Sequence, residues 1–140
     1  MSAVEFVDTN VLVYAFDERE PAKHKAAVEL LQSLWRERKG AISTQVLQEF
    51  YVNITSRKLP AHASPEQARA RMEDFLSWSV VPVQVATIFS AIRLSAGYRI
   101  SFWDALILAA ASECGASILW SEDLNSGQRY GPVEVRNPFA

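Results

Sequence analysis

Cysteine is nearly absent from this sequence, and the single Cys114 excludes an internal disulfide and fits a reducing compartment. Lying beside Gly115 near a predicted helix end, it reads as a small packed residue. Basic charge is also scarce. Fourteen Lys plus Arg stand against 16 Asp plus Glu, a net charge of −2, so composition announces no nucleic-acid partner. Were four acids gathered in one pocket, the rest of the surface would be slightly basic. Glycine-rich phosphate loops are missing. There is no Walker-type Gly-Lys-Ser/Thr and no Gly-x-Gly-x-x-Gly, which leaves nucleotide and dinucleotide binding unsupported. No Ser–His–Asp or Cys–His signature is present, and the two histidines, His24 and His62, fall on a helix surface and in a loop. Long apolar runs are lacking too. The longest surrounds Asp104 and is too short to span a bilayer, while Glu5 and Asp8 interrupt the N-terminus where a signal peptide would need an apolar core. The expectation is a cytoplasmic domain with no membrane part.

What is present is ordinary globular material. At 140 residues, 49% apolar and 21% charged, the chain suits one domain covering residues 1–140. Short β-rich runs alternate with helical ones. Ala3 to Val7 predicts a strand ending at Asp8, followed by a short helix through Phe16. The spacing of Ala26, Ala27, Leu30, Leu31 and Leu34 predicts an amphipathic helix to about Arg38. Ala41–Ser43 is a short strand, and Thr44 to Lys58 is read as one helix. Ser64-Pro65-Glu66-Gln67 is a helix start with a capping serine, a proline in the first turn and a glutamine three residues on, and that helix runs to about Trp78. Val80–Val83 suits an edge strand because of Pro82. A helix over Ala86–Tyr98 follows, then the Asp104 helix opened by Ser101 and closed by Gly115, then strands at Ser117–Ser121 and Val133–Val135. Alternation of this kind predicts an α/β domain with a parallel sheet between helices. In such sheets ligands collect at the carboxyl ends of the strands.

Asp104 is the most informative residue. Phe102 to Ala111 reads Phe-Trp-Asp-Ala-Leu-Ile-Leu-Ala-Ala-Ala, with Asp104 its sole charge, and predicts a helix buried on nearly every face. An unpaired buried carboxylate is costly, so either Asp104 sits at the wet mouth of the helix or a cation arrives from outside. Ser101-Phe102-Trp103-Asp104 matches a capping box, which would hold the carboxylate at that mouth. Asp8, followed by Thr9 and Asn10, suits an N-cap and a ligand equally. Asp123, in a turn with Asn125, Ser126 and Gly127, is by itself an ordinary turn acid. Glu49 points away from the stripe of Leu47, Phe50, Tyr51 and Ile54, toward either solvent or a cleft. Together, acids at strand exits and helix entries of a parallel sheet could converge on one edge. Clustered carboxylates repel unless a cation neutralises them, and oxygen ligands without His or Cys favour Mg²⁺ or Mn²⁺ over zinc.

Val-Asp-Thr-Asn-Val-Leu at 7–12 resembles the opening of PIN-domain ribonucleases. So do Gln-Glu-Phe at 48–50, Phe-Trp-Asp-Ala-Leu-Ile at 102–107 and Leu-Trp-Ser-Glu-Asp-Leu at 119–124, in the same order along the chain. The resemblance is to the VapC-type toxins of bacterial toxin–antitoxin pairs. It implies a PIN-like three-layer sandwich with a central parallel sheet of about five strands. It further implies a homodimer, an antitoxin protein as partner, and Mg²⁺- or Mn²⁺-dependent cleavage of single-stranded or loop RNA. The family's metal-binding and catalytic acids fall on Asp8, Glu49, Asp104 and Asp123, while Asn10 and Ser121 match positions that support the site or touch substrate. Asn125 and Ser126 stand where some members carry a further acid, so no fifth charged ligand is expected. Arg57 and Lys58, at the end of the Glu49 helix, are candidate phosphate contacts, or simply cations at a helix C-terminus. A catalytically weak or inactive PIN-like module acting through protein or RNA contacts is the competing expectation. A phosphoryl-accepting receiver-type domain would need a lysine at a late strand end, and no lysine follows Lys58.

Overall fold

The computed structural model describes residues 3–140. Its elements run β1 (Glu5–Val7), α1 (Thr9–Tyr14), α2 (Pro21–Glu37), β2 (Gly40–Ser43), α3 (Thr44–Ile54), α4 (Pro65–Asp74), β3 (Ser79–Val81), α5 (Val85–Tyr98), α6 (Phe102–Glu113), β4 (Ile118–Trp120), β5 (Arg129–Tyr130) and β6 (Val133–Arg136). One sheet in the order β3-β2-β1-β4-β6-β5 contains all six strands. Every pairing is parallel except the β5–β6 hairpin. The chain therefore builds outward from β1 to β2 and β3, then returns to place β4 on the other side of β1. That reversal opens a crevice between β1 and β4 at the carboxyl edge, where such sheets bind ligands.

The strands are short and apolar because the central ones are covered on both faces. Phe6, Val7, Ala41, Ile42 and Leu119 are fully buried. Helix α6 meets the expectation of all-round burial by serving two layers. Ile107, Leu108, Ala110 and Ala111 join the main core against the sheet, whereas Ala105, Leu106 and Ala109 pack with Ala91 of α5. Alanines keep that double contact close. No helix among the described residues is long and apolar enough to cross a membrane.

Three local departures from the sequence reading have identifiable causes. Helix α3 stops at Ile54 instead of Lys58. The Thr55 hydroxyl donates back to the Tyr51 carbonyl at 2.7 Å, and the Ile54 carbonyl accepts from Ala63 N at 2.8 Å, so the ladder is diverted into a turn. Arg57 and Lys58 consequently lie exposed in that turn. The helix begun at Ser64 forms its full capping box but narrows to a 3₁₀ turn over Phe75–Ser77. The sixth strand, β5, is only two residues long and escapes any periodicity. It exists because Gly131, at φ +59°, lets a two-residue hairpin fold Tyr130 against Val133.

Gly40, at the start of β2, meets the face of Trp78. A Cβ there would stand 2.3 Å from the nearest indole carbon. Trp78 is itself wedged against Trp35 and Phe75, with ring centroids 5.0 and 5.1 Å away, so the indole has little room to yield. Gly40→Ala should cost about 1–3 kcal/mol through overpacking, seen as a lower urea midpoint. An unchanged midpoint would contradict this account of the core.

Candidate functional site

Asp8 leaves the sheet at the crevice. Its backbone N–H still bonds the Trp120 carbonyl, 2.9 Å away, and its side chain then caps α1 by accepting from Thr9 N at 2.7 Å. The other carboxylate oxygen accepts from the Ser121 hydroxyl at 2.8 Å. Ser121, fully buried just past β4, also accepts from Asp123 N at 3.1 Å. One hydroxyl thus links the acid after β1 to the acid after β4. Asn10, in the first turn of α1, donates its amide to Asp123 Oδ2 at 3.0 Å. Glu49 reaches in from α3, accepting from the Thr9 hydroxyl at 2.7 Å and from Gln45 Nε2 at 3.5 Å. Gln45 Nε2 in turn donates to the Trp103 carbonyl at 3.4 Å, which ties α3 to the mouth of α6.

At that mouth only half of the expected capping box forms. The Ser101 hydroxyl accepts from Asp104 N at 3.1 Å, but the Asp104 carboxylate accepts no hydrogen bond among the described residues. It turns toward the crevice instead. Asp8, Glu49, Asp104 and Asp123, from four different parts of the chain, all line one pocket of about 610 Å³. Asn10 lines it too, while Ser121 lies behind Asp8. Arg57 and Lys58 do not contribute. The cation the sequence reading missed is Arg19, held by three side-chain hydrogen bonds to Asp17 and the one Lys or Arg of the lining. It sits exposed in an irregular turn, where nothing in sequence spacing could place it at the pocket rim. Gln45 was within reach of the sequence, being one helical turn before Glu49. His62 is exposed and His24 lies half-buried with Nδ1 2.9 Å from the Tyr14 carbonyl, and neither lines the pocket.

The pocket's charge is visible in its titration. Burial pushes the Asp8 carboxyl up to about 7 against the lowering effect of the Ser121 and Thr9 hydrogen bonds, and the charges of Asp123 and Glu49 add to the rise. Asp123 is raised by partial burial and then by the charges of Asp104 and Glu122, with the Asn10 hydrogen bond opposing. This is the response of carboxylates removed from water beside like charges.

The donor set is all oxygen, which matches Mg²⁺ or Mn²⁺ in kind. Its spacing is wide, since no three His, Cys, Asp or Glu side chains among the described residues stand close enough to grip one ion together. Magnesium commonly keeps several waters and takes one or two carboxylates, and that mode fits the spacing. Two buried acceptors on lining residues, Asn10 Oδ1 and Gln45 Oε1, have no donor. A hydrated cation brings donors as well as charge.

Sheet order, crevice and acids define an α/β domain with an anionic pocket at its topological switch point. The PIN domain family matches residues 6–129, and the chain belongs to that family. Its fold is shared with components of toxin–antitoxin pairs. A toxin–antitoxin complex from Klebsiella pneumoniae superposes with a TM-score of 0.68 at 20% identity, covering 94% of this chain and 95% of the other. VapBC2 from Rickettsia felis, bound to a promoter DNA fragment, gives 0.66 at 22% identity over 96% and 98%. The Mycobacterium tuberculosis toxin VapC20, which cleaves the sarcin–ricin loop, gives 0.64 at 21% identity over 85% and 89%. At these identities the likeness is one of fold. No curated protein sequence matches the chain.

The raised Asp8 carboxyl has a consequence for stability. Folded Asp8 keeps its proton to about 7, while the unfolded chain releases it near 3.8, so its contribution is complete below the unfolded value and is lost as pH rises through the folded one. In chelator, wild type should lose stability relative to Asp8→Asn between those pH values, by a few kcal/mol in order of magnitude. Thermal melts of both proteins across that range check it. Parallel pH profiles would refute the buried, unneutralised carboxylate.

Proposed function

We propose that this chain is a Mg²⁺- or Mn²⁺-dependent endoribonuclease and the toxin of a toxin–antitoxin pair. The observation carrying the reading is the convergence of Asp8, Glu49, Asp104 and Asp123 on one pocket of a PIN domain. Asp8 and Asp104 are assigned as the central metal ligands, with Glu49 and Asp123 acting directly or through water. A bound divalent ion supplies water activation and neutralisation of the phosphate charge. The residues do the rest. Ser121 and Asn10 hold Asp8 and Asp123 in place, and a carboxylate left free of metal accepts the proton of the attacking water. Arg57 and Lys58 stand outside the lining, so phosphate contact passes to Arg19 once it exchanges Asp17 for substrate.

A protein antitoxin as partner is supported by the toxin–antitoxin complexes that share the fold. Pairing with a second copy is supported by α5, whose Val85, Ile88, Phe89 and Ile92 form an exposed apolar stripe at helical spacing. A single domain acting in the cytoplasm completes the proposal. The competing reading is a catalytically weak or inactive PIN-like module acting through protein or RNA contacts, for which the lack of a tight three-acid cluster among the described residues is the one supporting observation.

Purified protein should cut RNA with Mg²⁺ or Mn²⁺, stop in chelator, and fall to background as Asp8→Asn or Asp104→Asn. Ser121→Ala and Asn10→Ala should lose about 10–100-fold. Equal cleavage by wild type and both aspartate variants would remove the site assignment, and absence of any metal-dependent cleavage would favour the binding module.

A further inference from the structure

Three of the four tryptophans serve the core. Trp78 is buried, Trp35 packs against it, and Trp120 donates its indole N–H to Glu5 Oε1 at 2.8 Å. Trp103 is the exception. It is 64% exposed and belongs to neither apolar cluster of the fold. It nevertheless lines the acidic pocket, in the first turn of α6 immediately before Asp104. Its backbone is anchored by the Gln45 hydrogen bond, and the Phe102 ring stands 5.2 Å away at 78°, which limits how the indole can swing. A large flat ring is thus held at the lip of the cleft, touched edge-on by Phe102 and outside both apolar clusters.

We propose that Trp103 is a stacking platform for an unpaired nucleobase of the bound RNA strand. The inference rests on the ribonuclease reading and adds what engages the substrate. Two features select this occupant. The lining carries one cation, Arg19, already paired with Asp17, against several acids, so phosphate attraction alone is a poor source of affinity. Stacking on an aromatic ring needs no charge and accepts any base, provided its face is not already covered by duplex neighbours. An apolar protein surface would instead have to desolvate Asp104 and Glu49 beside the indole, which is costly. The apolar stripe of α5 already offers a better surface for that purpose.

The test uses wild type, Trp103→Ala and Trp103→Phe with a short fluorescent single-stranded RNA and the matching duplex. Affinity is measured in chelator and cleavage with Mn²⁺. Trp103→Ala should lose about 10–100-fold in single-strand affinity, with the loss in cleavage falling on KM more than on kcat, and Trp103→Phe should restore most of it. A 2-aminopurine in the strand should be quenched by wild type and not by Trp103→Ala. Melting temperature should be unchanged, because the ring contributes nothing to the core. If wild type cuts RNA and Trp103→Ala binds single strands equally well, stacking is wrong and the nuclease reading survives. If wild type binds RNA through Trp103 without cutting it, stacking stands and the nuclease reading fails. Absence of both binding and cutting refutes both. A change in oligomeric state with RNA affinity unaltered would assign Trp103 to a protein contact and overturn the proposal.

Discussion

The hydrogen bond between Ser121 and Asp8 is the contact on which the rest of the site depends. It joins the carboxyl ends of β1 and β4, the two strands that flank the reversal in strand order. Asp8 is only 5% exposed, and its remaining oxygen is committed to the cap of α1. The same residue therefore ends a strand, starts a helix and presents a carboxylate at the crevice floor. Because Ser121 also receives Asp123 N, the second acid inherits its position from the first. A change at this junction would disturb two secondary-structure starts and two acids together.

What surrounds the junction is an electrostatic deficit held by a rigid frame. Asp104 stands at the mouth of a helix packed into both apolar clusters, and Gln45 ties that mouth to the helix bearing Glu49. Folding energy from the apolar layers can sustain Asp8 and Asp123, whose carboxyls are pushed upward by burial and, behind it, by neighbouring acids. The repulsion is local and is relieved by protonation at low pH; on the proposed function, a cation relieves it at higher pH. Wide spacing of the acids suits an ion that retains its water, and the two donorless amide oxygens point to the same kind of guest.

Much of this was legible in the sequence, for a physical reason. Parallel strands buried on both faces read as apolar runs, and the acids of the site sit where those runs break. Asp8 ends one run, Asp123 follows another, and Asp104 interrupts the longest. Glu49 was visible only as a residue off its helix's apolar stripe, a pattern that solvent and a cleft produce alike. Features set by tertiary contact were not legible. The end of α3 depends on Ala63 capturing a carbonyl, β5 on a glycine hairpin, and the place of Arg19 at the pocket rim on an irregular turn. The capping motif at Ser101 was read correctly as a helix start, but its reciprocal half is absent because Asp104 faces the pocket.

Direct calorimetric titration of metal-free protein with Mn²⁺, above the Asp8 pKa, tests the central claim that these acids form a cation site. The account predicts saturable binding by wild type, accompanied by proton release when repeated near the Asp8 pKa, and loss of binding in Asp8→Asn and Asp104→Asn. Saturable binding that persists unchanged in both variants, or none in wild type, would contradict it.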